Sequence, residues 1–119
     1  SILIYPVISM RKELTHMGSR KSLLGGDPTK DQIILYSNEL QVKSDTPTTL
    51  LIHAKDDSVV IPENSMLYHK ALQENKIPST LHLMEQGGHG FGISSTNKPT
   101  QLWLALAKNW LIQRGIIAD

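Results

Sequence analysis

Short β-branched apolar runs alternate along this chain with amphipathic stretches of helical period. Residues 1–7 carry an apolar run, Ile2, Leu3 and Ile4, stopped around Pro6, which predicts a buried strand. Residues 8–47 are largely polar, and Gly18, Gly25, Gly26 and Pro28 mark them as loop with short helices. Within them Ile33, Ile34, Tyr36 and Leu40 fit a short helix entered through Asp27-Pro28, and residues 19–24 fit one more helical turn. The run TTLLIHA in residues 48–54 predicts a second buried strand. A helix follows over residues 62–76, with Pro62 at its start, Glu63 in its first turn, and a stripe of Leu67, Tyr68, Ala71 and Leu72. Leu81 and Leu83 alternate against Thr80 and His82, predicting a third strand over 79–86. The last helix spans 99–114, with Leu102, Trp103, Leu106, Ala107, Trp110 and Leu111 on one stripe and Gly115 just past its end. Strands alternating with helices predict an α/β fold, a short parallel sheet of about three strands with crossover helices.

Composition narrows the function classes. The chain has 119 residues, a length that fits one domain. No cysteine is present, which excludes a disulfide framework, a thiolate zinc site and a cysteine nucleophile. The formal charge of +1 argues against nucleic acid as a partner. No apolar run reaches the 18 residues of a membrane span. Neither a P-loop nor a G-x-G-x-x-G motif occurs, so no nucleotide cofactor is expected. The chain opens at Ser1 inside an apolar run, without an initiator Met or a signal peptide, which predicts a processed product or a piece of a longer protein. The compartment stays open.

Ligand-bearing and catalytic groups of open parallel sheets gather at the carboxyl ends of the strands. The second strand ends in His53-Ala54-Lys55-Asp56-Asp57, and the third in Gln86-Gly87-Gly88-His89-Gly90-Phe91. An acidic pair and a glycine-flanked histidine therefore leave neighbouring strands on one edge. An acid that holds an imidazole in one tautomer, and an imidazole that serves a hydroxyl nucleophile, need those residue types there. The bland reading makes Asp56 and Asp57 turn residues and the glycines a simple connection. A metal held by His53, Asp56, Asp57 and His89 is a further alternative, although no metal is expected. Ser9-Met10-Arg11-Lys12 matches S-x-x-K but lacks a companion K-T-G. His69 and His82 read as surface or rim residues, and Trp103 and Trp110 as core.

The segment from His53 to Ser65 resembles the H-G-x-x-D-x-x-V-P-x-x-x-S segment of dienelactone-hydrolase-like and prolyl-oligopeptidase-like α/β-hydrolases. Gly87-Gly88-His89-Gly90-Phe91 resembles their catalytic-histidine loop. Together with residues 18–25, the chain is most similar to carboxylesterases that include acetyl-xylan-esterase-like enzymes. Ala54 stands where glycine is usual, and Ile61 is an extra residue before Pro62.

The resemblance implies that residues 1–119 are the C-terminal portion of an α/β-hydrolase domain. It implies Asp56 as triad acid, with Asp57 as the alternative, and His89 as base. It places Phe91 under the histidine loop and His16 and Arg20 near the pocket mouth, all three as candidate pocket residues. His53 is expected to be structural. The nucleophile elbow G-x-S-x-G is missing: Ser94 has Gly92 two residues before it but Thr96 two after. The implied activity is hydrolysis of a small acyl ester, with acetylated carbohydrate as one substrate, by a triad whose serine lies outside these residues. This chain alone is then expected to be inactive. The alternatives are a serine peptidase of prolyl-oligopeptidase type and a non-catalytic binding module, the latter forming a homodimer across an exposed sheet edge.

Overall fold

The computed structural model describes residues 1–93 and 98–118. Three parallel strands, β1 (Ile2–Ile4), β2 (Thr49–Ala54) and β3 (Ser79–Met84), lie in the order β1-β2-β3. Their register pairs Ile4 with Ile52, and Ala54 with Met84, so the carboxyl ends emerge on one edge. Helices α1 (Met17–Leu24) and α2 (Lys30–Tyr36) and a 3-10 turn (Asn38–Leu40) fill the connection from β1 to β2. α3 (Glu63–Glu74) links β2 to β3, and α4 (Lys98–Gln113) follows β3.

The central strand is buried at all six positions, as a strand covered on both faces must be. Its side chains alternate. Leu50, Ile52 and Ala54 pack with Phe91, Ala107 and Trp110, which seats α4 on one face. Leu51 packs with Leu72 and Ile77, which seats α3 on the other. Asn64, fully buried at the start of α3, ties the first loop to this layer. Its Oδ1 accepts from the backbone N–H of Ile8 and Ser9, and its Nδ2 donates to the carbonyls of Leu14 and Ile61.

The predicted element order is observed; β3 ends at Met84 rather than at 86, and three other boundaries shift for local causes. β1 stops at Ile4 rather than 7, because Tyr5 turns to φ 40° and Pro6 brings no N–H to a ladder. α2 starts at Lys30 and is capped by Thr29, not Asp27. The Thr29 hydroxyl accepts from Gln32 N and the Gln32 carbonyl accepts from Thr29 N, a capping box. α3 ends at Glu74, where Lys76 at φ 60° lets Ile77 N donate to Leu72 O. In α4, Ala107 and Trp110 face the core as expected, whereas Leu102 is 63% exposed. Gly115, at φ 65°, follows the helix end as predicted: its N–H donates to Ile112 O, and Ile116 N donates to Leu111 O.

Candidate active site

At the carboxyl edge β2 runs into a tight turn in which Asp57 N donates to Ala54 O. The turn points the backbone N–H groups of Val59 and Val60 at one carboxylate oxygen, Asp57 Oδ1, each at 2.9 Å. The other oxygen, Oδ2, accepts from His89 Nδ1 at 2.8 Å. The Asp57 side chain is fully buried and that of His89 is 29% exposed. The bond fixes the proton of a neutral His89 on Nδ1 and leaves Nε2 as the basic nitrogen.

Beneath this pair sits His53, also fully buried. Its Nε2 lies 2.8 Å from Val60 O and 3.2 Å from Asp57 Oδ2, and its Nδ1 lies 2.7 Å from Ser65 Oγ. A carbonyl only accepts, so Nε2 carries the proton and shares it between Val60 O and Asp57. Asp57 is thereby served by four N–H donors. Burial pushes its carboxyl pKa up. The hydrogen bond from His89, those from Val60 and Val59 N–H, and the charge of His89 together outweigh that, and the net value lies below the ordinary carboxylate range.

The expectation that Asp56 faces His89 is corrected here, because the carboxylate on the imidazole belongs to Asp57. Asp56 is exposed, and its Oδ1 accepts from Gly88 N at 2.8 Å, so it anchors the histidine loop from outside. Gly88 at φ 60° and Gly90 at φ 74° let that loop bend on both sides of His89.

Phe91 is a buried core residue, in edge contact with the Tyr5 ring at 4.8 Å. His16 caps α1, its Nδ1 accepting from Ser19 N. Arg20 donates from Nη1 to Met10 O. Among the described residues no hydrogen bond or ion pair joins His16 or Arg20 to Asp57 or His89. The S-x-x-K match fails on geometry: Ser9 is fully buried and its hydroxyl accepts from Arg11, not Lys12. Ser94 lies outside the described residues.

Tyr5 and Ser65 are site residues that the sequence pattern did not single out. Tyr5 sits at the end of β1, its ring 4.7 Å from that of His89. The Tyr-Pro pair at a strand end was the available signal. For Ser65 it was the terminal S of the motif, in the first turn of the helix below His53.

The prolyl oligopeptidase family matches residues 4–114, nearly the whole length. The chain belongs to the prolyl oligopeptidase family. Within its relatives, an acetylxylan esterase of Xylanibacter ruminicola is 35% identical over 115 residues, covering 93% of this chain and 24% of the relative. An endo-1,4-beta-xylanase B of Butyrivibrio fibrisolvens is 40% identical over 94 residues, covering 79% of this chain and 15% of the relative. The crystal structure of an acetyl ester-xyloside bifunctional hydrolase from Caldicellulosiruptor lactoaceticus superposes with a TM-score of 0.94 at 39% identity, covering 98% of this chain and 43% of that one. The chain therefore spans less than half the length of these relatives. Its sheet and helices are those of the α/β-hydrolase esterases, as the sequence resemblance implied.

Proposed function

We propose that the protein bearing this chain hydrolyses small carboxylic esters through a Ser-His-Asp triad, with His89 as base and Asp57 as acid. The observation that carries this reading is the 2.8 Å bond from His89 Nδ1 to a buried carboxylate at the carboxyl edge of a parallel sheet. The serine is expected from outside residues 1–119, since no G-x-S-x-G occurs within them. Its hydroxyl attacks the ester carbonyl while His89 Nε2 takes the proton. The tetrahedral adduct collapses, and His89 returns that proton to the departing alcohol. Water then attacks the acyl-serine, again with His89 as base, releasing the acid and restoring the serine. Asp57 stays ionised throughout and stabilises the imidazolium. An isolated chain of residues 1–119 has the acid and base but not the attacking group, and is expected to be inactive.

The acetylxylan and acetyl ester-xyloside names of two relatives support an acetylated carbohydrate as substrate. The test uses the complete protein with acetylated xylan, p-nitrophenyl acetate and a prolyl p-nitroanilide peptide, alongside a fluorophosphonate label. Acetate release from the first two and labelling of one serine are expected. Cleavage of the peptide without ester turnover would replace the esterase by a peptidase. Neither turnover nor labelling would overturn the triad.

A homodimer through β1 belongs to the alternative reading, a non-catalytic binding module. It is supported by β1 pairing on one side only among the described residues. Among those residues no helix is long and apolar enough to cross a membrane.

A further inference from the structure

We propose that Tyr5 is a positioning residue for His89, held against the imidazole by a backbone conformation that the end of β1 imposes. The inference rests on the hydrolase reading of His89.

Tyr5 has φ 40°, a region that costs a residue with a Cβ free energy. Pro6 follows it, and a following proline restricts the backbone of Tyr5 further. The conformation is nevertheless pinned, because Tyr5 N donates to Ile52 O at 2.8 Å. Lys76 is the other described non-glycine residue at positive φ, and there it simply closes a helix. At Tyr5 the same device ends a strand beside the site. A glycine would make that turn without strain, so the reason for a tyrosine lies in its ring.

That ring does two things. It meets Phe91 edge-on at 4.8 Å, which fixes it to the core. Its other neighbour is the His89 imidazole, at 4.7 Å and an interplanar angle of 59°. Asp57 holds the His89 ring through Nδ1, a single contact about which the ring can still swing. The Tyr5 ring closes one side of that swing, keeping Nε2 on the line of proton transfer.

The complete protein is tested by substitution. Tyr5→Gly suits φ 40° and removes the ring; the packing lost against Phe91 should lower Tm, while the relieved backbone strain offsets part of that loss. Its kcat for p-nitrophenyl acetate should fall about 10-fold with KM within about twofold, the size expected when a reacting group is misplaced rather than lost. The downfield proton resonance of His89 Nδ1–H should broaden, because a swinging ring releases that proton to solvent. Tyr5→Phe keeps the ring and should restore both readouts. A folded Tyr5→Gly protein with a sharp resonance and unchanged kcat would overturn the proposal, as would a loss confined to KM. Should Tyr5→Gly not fold, Tyr5→Asn, which also tolerates positive φ, carries the same readouts. If the unsubstituted protein turns over no ester, the hydrolase reading falls, and the resonance alone decides on Tyr5.

Discussion

At Asp57 two backbone N–H groups hold one oxygen and two imidazoles share the other, so the carboxylate has neither rotational freedom nor an unpaired lone-pair face. The arrangement makes a fully buried charge tolerable and lowers its pKa. The consequence for stability has a definite sign. A carboxyl whose folded pKa lies below its unfolded value contributes fully above the unfolded value, and the contribution disappears as pH falls through the folded one. Unfolding by urea should therefore show stability dropping below about pH 4, more steeply than in Asp57→Asn. Equal slopes for the two proteins would remove this account of Asp57. The sequence brought the reading to within one residue. Counted from His53, the H-G-x-x-D spacing ends on Asp57, whereas D-x-x-V counted back from Val59 ends on Asp56. Only the turn after β2 separates them, because it aims Val59 and Val60 N–H at one side chain and sends the other outward.

Elements were legible where periodicity is enforced by burial. β2 is covered on both faces and reads as an unbroken apolar run, and α3 and α4 each show a stripe toward one face. α1 and α2 bury no residue, so their apolar pattern carries little information about them. What holds that region is side-chain hydrogen bonding, above all from Asn64. Asn64→Ala would orphan the N–H groups of Ile8 and Ser9, and should cost about 2 kcal/mol or more in chemical denaturation. The end of α3 offers the opposite case. Lys76 occupies a left-handed position with no side-chain reason for it in the fold. Lys76→Gly should raise stability by about 0.5–1 kcal/mol, the relief of strain less the added chain entropy. A drop in Tm would contradict that reading of the cap.

For the molecule as a whole, a radius of gyration of 15.0 Å exceeds the roughly 13.5 Å expected for a compact domain of this length. Ile34, Leu35, Tyr36 and Leu40 are exposed together on α2 and the 3-10 turn. Such surface calls for a cover. Residues 1–119 prepared alone should self-associate in light scattering and bind a hydrophobic dye, and a dye-silent monomer would show the surface to be self-sufficient. The fold class and the histidine loop were readable from the chain itself. A nucleophile elbow was not, because no G-x-S-x-G occurs in these residues.

The proposed triad turns on which of two adjacent aspartates serves His89. The decisive measurement is kcat/KM for p-nitrophenyl acetate in the complete protein, compared between Asp57→Asn and Asp56→Asn. Loss of the triad acid should lower it about ten-thousand-fold in Asp57→Asn. Asp56→Asn removes only a surface tie to Gly88 and should stay within about tenfold. The reverse order, with Asp56→Asn the inactive protein, would contradict the central claim.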